Sequence, residues 1–276
     1  MNILNWIDKF STDLRLKYHS AETQKNYKSV VYTFLKHFQD KKEPKAIDNE
    51  KIKLWILEAK TPNTMKARMC AITCFYKTTV GMPQKISAIP YPKSDQRLPI
   101  PLSQAEVQQM FDVCENLKHK TILALLYGCG FRVSELINLR WKNIDRSRMI
   151  INVIAGKGNK DRQVMLPQPI LELLEKYWHK YKTKDYIFDG QFGDQYSSRS
   201  VGQVMKQLAE KAKINKRVYT HLMRHNCFTH MVENGIDINL IQRLAGHSNV
   251  KTTLLYTHIS HNIVSQINSP INSIKL

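Results

Sequence analysis

The sequence is poor in acidic residues and has no long apolar segment. Its 276 residues include 23 Asp and Glu against 42 Lys and Arg, which leaves a formal net charge of +19. No apolar run approaches the roughly 20 residues that a membrane-spanning helix requires, so we expect no membrane partner. The surplus of positive charge indicates a polyanionic partner, because each phosphate that a cation neutralises releases condensed counterions.

The motifs of several cofactor-dependent classes are also missing. The sequence has no loop of the form G-x-x-x-x-G-K-S/T for a nucleoside triphosphate, and no carboxylate cluster suited to two catalytic metal ions. Cys70 and Cys74 are four residues apart, but no second Cys/His pair follows at zinc-finger spacing. We therefore expect neither a metal nor a cofactor. The five cysteines lie within apolar helical patterns, which is typical of reduced core residues in a cytoplasmic protein.

Positive charge is spread over the whole chain. Residues 1–99 hold 18 Lys and Arg against 9 Asp and Glu, and residues 100–276 hold 24 against 14. The hydrophobic fraction of 42% is sufficient for packed cores, and the length suits two domains of ordinary size. We expect both halves to lie on nucleic acid, with solubility as the alternative explanation of the charge.

Residues 1–82 carry the periodicity of a small helical bundle. Apolar residues recur at the 3.6-residue spacing of amphipathic helices over 2–17 and 20–38, and a third helix is predicted over 48–59. A fourth begins at Thr61-Pro62, an N-cap followed by proline, and ends near Gly81. No strand pattern occurs here, so we expect an all-helical first domain.

A proline-rich stretch separates this domain from the next. Residues 83–101 hold five of the ten prolines, which predicts an extended linker because proline removes backbone donors and disfavours helix before it. Ser103 and Glu106 then form an S-x-x-E capping box that opens a second domain, 102–276.

The second domain combines helices with one β element. The β-prone runs 149–154 and 162–166 flank a Gly-rich turn, and helices are predicted at about 168–181, 197–214, 221–234 and 237–245. The fold class expected for the chain is therefore mainly α with a small β-sheet (α+β).

Two basic residues lie next to glycines in this domain. Arg132 follows Gly128-Cys129-Gly130, in the first turn of a predicted helix, where its planar guanidinium suits bidentate phosphate binding and Glu135 could orient it. A surface Arg–Glu helix pair is the alternative. Lys157 lies at the tip of the predicted hairpin and can reach a phosphate or donate a proton to a leaving oxygen; a solvated basic loop is its alternative.

Histidines and a tyrosine complete the candidate residues. His221 and Arg224 share one helical face near a helix N-terminus, where the dipole favours phosphate. Metal ligation by His221 and His225 is the alternative, although the glutamate of H-E-x-x-H is absent. His247 occupies a loop after Gly246, before a short helix that carries Tyr256. Tyrosines are commonly packing residues, but neighbouring arginines can make a phenol a plausible nucleophile towards phosphorus.

These segments together resemble the tyrosine recombinase (phage integrase) family, of the Xer-like or simple mobile-element type. The resemblance spans nearly the full chain, since residues 1–82 look like the SAM-like core-binding domain and the second domain looks like the catalytic domain of that family. The matching motifs occur in the family's order: G-F-R-V-S-E-L (130–136), G-K-G-N-K-D-R (156–162), H-L-M-R-H (221–225), L-A-G-H-S (244–248) and T-T-L-L-Y-T-H (252–258).

The resemblance implies a site-specific DNA recombinase that needs neither metal nor ATP. Arg132 and Arg224 would bind the phosphate, Lys157 would be the general acid, and His221 would assist proton transfer. His247 would hydrogen-bond the phosphate and Tyr256 would form a 3′-phosphotyrosyl link, with Glu135 in support. The resemblance also implies that four copies on DNA exchange strands through a Holliday junction.

The same resemblance implies the partners and the location of the chain. The DNA partner would be a double-stranded recombination site. The free chain would be a monomer or dimer, and four copies would form the synapse, with accessory DNA-binding proteins as possible further partners. The location would be the bacterial cytoplasm, at the nucleoid. The apolar tail 259–276 would pack on its own domain or dock into a neighbouring copy. A type IB topoisomerase-like enzyme and a DNA-binding protein that has lost catalysis remain as alternatives.

Overall fold

The computed structural model describes residues 1–17, 20–92, 99–154, 161–190, 194–247 and 249–259. The chain divides into two compact units, Met1–Arg97 and Leu98–Leu276. Both are mainly helical, and the second contains a three-stranded sheet, which confirms the predicted fold class. Within the described ranges, no helix has both the length and the hydropathy needed to cross a bilayer.

The first unit is a helical bundle whose helix ends follow the local sequence. Ser20 accepts a hydrogen bond from the backbone N–H of Thr23, and Thr61 accepts one from Thr64, so both act as side-chain N-caps. Gly81 ends the fourth helix in the left-handed region, at φ 74°. The elements are α1 (Ile3–Lys17), α2 (Ala21–His37), a 3₁₀ turn (Pro44–Ala46), α3 (Asn49–Leu57), α4 (Pro62–Phe75) continued by a π turn (Tyr76–Val80), and α5 (Gln84–Ser87).

Aromatic side chains fill the core of this unit. Phe34 packs edge-to-face on Trp55 with ring centroids 5.1 Å apart and on Tyr76 at 6.2 Å, while Phe10 meets Phe75 at 5.3 Å. Such pairs contribute roughly 0.5–1.5 kcal/mol each beyond the area they bury. The unit therefore has a hydrophobic core of its own.

The predicted extended linker is wrong at its beginning. Residues 84–87 form helix α5, and the side chains of Ile86 and Ile89 are buried in the core of the first unit. Lys85 also donates hydrogen bonds to the carbonyls of Lys45 at 2.5 Å and Ile47 at 2.6 Å. The free energy gained by burying the two isoleucines favours the helix. Pro83 does not oppose it, because it stands at the N-cap and proline is tolerated at the start of a helix.

The second unit surrounds one buried helix, α7. After a first turn that carries two lysines and a histidine, its residues 121–126 are all buried, so every side of the helix is covered there, as expected for a helix that others enclose. It packs against α9, and α11 packs against it as well. The helices are α6 (Gln104–Asp112), α7 (Leu117–Gly128), α8 (Val133–Ile137), α9 (Gln168–Tyr181), α10 (Ser198–Lys211), α11 (Thr220–Glu233), α12 (Ile238–Ala245) and α13 (Val250–Ile259).

The sheet is antiparallel, with strand order β1 (Ile144–Asp145), β2 (Ile150–Val153) and β3 (Arg162–Met165). Ile151 pairs with Val164 on the buried face, whereas Asn152 pairs with Gln163 and the two side chains share a hydrogen bond of 3.1 Å. Strands β2 and β3 confirm the predicted hairpin, while the two residues of β1 are too few to produce an alternating pattern. The hairpin tip, residues 155–160, and the tail from residue 260 lie outside the described residues.

Candidate active site

Helix α11 places a fully buried arginine at the centre of the second unit. Arg224 has no exposed surface; its Nη1 donates to the carbonyl of Gly130 at 2.5 Å and its Nη2 donates to the carbonyl of Ala245. Among the described residues, its Nε has no hydrogen-bond partner. Burial, followed by the charge of Arg132, lowers the pKa of Arg224 to about 10, so it stays protonated at neutral pH. A guanidinium has five N–H donors, so donors remain for an anion.

Arg132 lies at the same carbonyl oxygen. Its Nη2 is 3.3 Å from the carbonyl of Ala245, and its Nη1 donates to Glu135 at 2.7 Å. It is the N-cap residue of α8 in extended conformation, rather than a member of the first turn as the sequence predicts. Its side chain is 27% exposed, which leaves it open to a ligand. The two arginines therefore converge on Ala245 from different helices.

Glu135 is a buried carboxylate among arginines. It accepts the backbone N–H of Arg132 at 2.7 Å and ion-pairs with Arg132 and Arg162, while Arg224 Nη1 is 3.9 Å away. Burial by itself raises the pKa of Glu135, but the hydrogen bonds and charges of Arg162 and Arg132 prevail and lower that pKa to about 2. The carboxylate is thus ionised, and it holds the arginines that surround it.

Arg162 was missed as a site residue by sequence reasoning. Its Nη1 and Nη2 donate to the two carboxylate oxygens of Glu135 at 2.6 and 2.8 Å, and its Nε donates to the carbonyl of Leu244 at 2.7 Å. The only signal was its place at the end of the G-K-G-N-K-D-R motif. That position indicates a strand residue but not its partners, which lie 27 and 82 residues away.

Two histidines extend the site along α11. The rings of His221 and His225 meet edge-to-face at 4.6 Å. Desolvation, followed by the charges of Arg224 and Arg132, lowers the pKa of His221, which lies on the exposed side of the helix. Burial lowers the pKa of His225 to about 4. No group of three or more His, Cys, Asp or Glu side chains that could hold a metal ion occurs in the described part of the chain.

His247 follows Gly246, which ends α12 at φ 62°. Its Nε2 lies 3.4 Å from Nη2 of Arg224, and its Nδ1 lies 3.0 Å from the hydroxyl of Thr253. Burial, followed by the charges of Arg224 and Arg132, lowers the pKa of His247 to about 4, so the ring is neutral at neutral pH. The hydroxyl of Thr253 can donate to or accept from Nδ1, so the neutral ring can carry its proton on either nitrogen.

Tyr256 packs directly against these residues on α13. Its ring stacks with that of His247 at 6.1 Å and contacts the rings of Phe228 and His225 at 5.5 and 5.6 Å. The residue is 2% exposed. Burial raises the pKa of its phenol, and the charge of Arg224 acts in the opposite direction. The structure thus brings five predicted site residues and Glu135 together, whereas Lys157 lies outside the described residues.

Comparisons with known proteins identify the family of the chain. The model of the "Phage integrase family" matches residues 101–262, and that of the "Phage integrase, N-terminal SAM-like domain" matches residues 6–86. The chain belongs to the phage integrase family. It is accordingly an enzyme of the tyrosine recombinase class, and the family resemblance of its motifs is confirmed.

Individual relatives match over most of their length. The y4qK protein of Sinorhizobium fredii, whose name describes an integrase/recombinase, is 34% identical over 95% of this chain and 87% of that protein. The tyrosine recombinase XerA of Pyrococcus horikoshii is 32% identical over 92% of this chain and 89% of that protein. A crystal structure of XerH site-specific recombinase bound to difH substrate covers 96% of this chain and 94% of that one, with a TM-score of 0.76 at 17% identity, which shows a shared fold.

Proposed function

We propose that this chain cuts and rejoins DNA at a specific site through a covalent 3′-phosphotyrosyl intermediate on Tyr256. The observation that carries the proposal is the convergence of Arg132 and Arg224 on the carbonyl of Ala245, with Tyr256 packed beside His247 at the same point. Two guanidinia held at one place can neutralise the equatorial oxygens of a phosphorane. A phosphodiester of DNA fits both this pair and the net charge of +19.

The family resemblance gives each side chain one part in this chemistry. The phenol oxygen of Tyr256 attacks phosphorus, the bond from phosphorus to the 5′-oxygen breaks, and Lys157 gives a proton to that leaving oxygen. His221 accepts the phenolic proton as the ester forms, and His247 hydrogen-bonds the phosphate. Because the new ester conserves the energy of the broken bond, the reverse attack by a 5′-hydroxyl rejoins DNA without ATP, and the arginines supply the charge that metal ions supply in other enzymes.

The site has to open before Tyr256 can attack. Tyr256 is 2% exposed and Arg224 has no exposed surface, so a DNA phosphate reaches neither of them in this structure. Helix α13 packs against α11 and α12, so a shift of α13 on DNA binding would uncover the phenol and the arginine. Burial keeps the pKa of the phenol raised until then, which would suppress cleavage outside the assembled complex.

The family, and the XerH structure with its bound difH substrate, support a DNA partner for this chain. Both units would contact double-stranded DNA, the first from residue 1 to about 82 and the second from about 102. Four copies would form the synapse and exchange strands through a Holliday junction, starting from free monomers or dimers and assisted by accessory DNA-binding proteins. The work would take place in the cytoplasm, at the nucleoid.

A nicked suicide duplex tests the nucleophile. The site is first recovered by selecting random-sequence DNA on the purified full chain, and a duplex that carries it is then nicked so that the cleaved strand dissociates. The wild-type chain should form a denaturant-stable adduct, and Tyr256→Phe should bind the DNA but form none. Tyr181→Phe, a matched loss of a hydroxyl in the same unit, should form the adduct normally. An adduct of equal yield in Tyr256→Phe would refute the proposal.

A further inference from the structure

Arg162, on strand β3, hydrogen-bonds to residues that adjoin the phosphate-binding side chains. Its guanidinium holds both oxygens of Glu135, and its Nε holds the carbonyl of Leu244. These three hydrogen bonds join β3 to the start of α8 and to the end of α12. Arg132 precedes α8 and His247 follows α12, and both are proposed to bind the phosphate. Arg162 therefore contacts the residues that hold these side chains, and not the side chains themselves.

The hydrogen bonds of Arg162 leave it little to offer a DNA phosphate. Each of its three nitrogens donates to a protein acceptor, and its side chain is 7% exposed. By contrast, Nε of Arg224 has no hydrogen-bond partner among the described residues, and the side chain of Arg132 is 27% exposed. Arg162 therefore acts on the phosphate only through other residues.

The first of these is Glu135. A carboxylate held by a bidentate guanidinium has a fixed plane, since two parallel hydrogen bonds define both distance and direction. The same carboxylate oxygen that accepts from Arg162 Nη1 also accepts from Arg132 Nη1. Fixing Glu135 therefore fixes the direction of the Arg132 guanidinium.

The second is the corner of residues 244–247. Leu244, whose carbonyl Arg162 binds, precedes Ala245, whose carbonyl accepts from both Arg132 and Arg224. A Cβ added at Gly246 would lie 3.0 Å from Cδ of Arg162, so the arginine stem packs against this glycine. The position of His247, the next residue, depends on the same corner.

We propose that Arg162 is a positioning residue for DNA cleavage, which orients Arg132 through Glu135 and holds the Leu244–His247 corner that aligns Arg224 and His247. The proposal rests on the function proposed above. It requires the forked guanidinium and not only a positive charge, because a lysine ammonium cannot bind both carboxylate oxygens and a carbonyl in one plane.

Arg162→Lys in the full chain tests this, with Arg162→Gln measured alongside so that the result is read from whichever variant folds. Arg146→Lys is the matched control. Arg146 pairs with Glu175 at an exposed position, and the substitution preserves the positive charge, as Arg162→Lys does. Affinity for the selected duplex and the first-order rate of adduct formation at saturating DNA are measured separately. That rate constant refers to bound complexes and does not depend on how much of the protein is folded.

We expect the cleavage rate of Arg162→Lys to fall by about 100-fold, because a catalytic group misplaced by roughly 1 Å costs about that much in rate. Its affinity for the duplex should change by less than about 3-fold, because the lost interaction acts mainly in the transition state. Arg146→Lys should match the wild type in both. The deficit should shrink on a duplex with a methylphosphonate at the scissile position, because a neutral phosphate depends less on the two arginines.

Three outcomes would overturn the inference: an unchanged cleavage rate, a loss of affinity equal to the loss of rate, or the same deficit on the methylphosphonate. Failure of the proposed function has a different signature, because the wild-type chain itself would then form no adduct.

Discussion

Each of the two units is stabilised by a different kind of core. In residues 1–17 and 20–92, no Arg, Lys, Asp, Glu or His residue is buried, and aromatic rings provide the packing. The second unit buries Arg224 and Glu135 and nearly covers the side chain of Arg162. Burying charge costs free energy unless every partner is present. Buried charges therefore occur in the unit that carries the candidate active site, and the described part of the other unit has an uncharged core.

Removal of Glu135 should have the largest effect, because it breaks the charged core at its centre. Glu135→Ala leaves Arg162 and Arg132 without their carboxylate, and we expect it to lower the free energy of unfolding of the second unit by about 3–5 kcal/mol. DNA cleavage should be lost as well. Urea unfolding followed by hydrogen exchange of peptides from residues 99–259 measures the first effect. Unchanged protection of those peptides would contradict the importance given to this carboxylate.

A comparable loss in the apolar core should leave the chemistry intact. Phe34→Ala removes a ring that packs on Trp55 and Tyr76, and we expect it to lower the free energy of unfolding of the first unit by about 3–5 kcal/mol. At a temperature where the variant is folded and DNA is saturating, its rate of adduct formation should equal that of the wild type. A rate lowered as far as in Glu135→Ala would remove the distinction between the two cores.

Mild acid should lower stability as well, and only in the second unit. Burial is the main cause that lowers the pKa of both His225 and His247 to about 4, against about 6.5 in an unfolded chain. Between these values the unfolded state binds more protons, so stability falls as the pH drops from about 6.5 to 4. Glu135, whose pKa is about 2, adds to this loss only below about pH 4.5.

The first unit has no buried histidine among its described residues, so its stability should stay level through that window. Thermal unfolding of the wild-type chain from pH 7 to 4.5, read by peptide-level hydrogen exchange, separates the units. Parallel loss in both would contradict the prediction.

Local features of the fold could be predicted from the sequence, and contacts between distant residues could not. The cap at Thr61, the end at Gly81 and the boundaries of α9 are encoded within a few residues, and the structure has them as predicted. The failures have physical reasons. Helix α5 depends on burial of Ile86 and Ile89 in a distant core, and β1 is too short to show a period.

The candidate site divides in the same way. Residue type and order were enough to single out Arg132, Arg224 and Tyr256. The burial of Tyr256 and the part played by Arg162 were not visible, because both depend on contacts made across tens of residues. A basic residue in a strand gives no sign of whether it faces solvent or a carboxylate.

In the proposed reaction the phenol oxygen of Tyr256 forms the covalent bond to DNA. The most direct test of that bond is peptide mapping by mass spectrometry of the adduct trapped on the nicked duplex, after digestion with protease and nuclease. We expect one modified peptide, with a 3′-linked nucleotide on Tyr256. A nucleotide on any other residue, or an adduct that still forms in Tyr256→Phe, would contradict it.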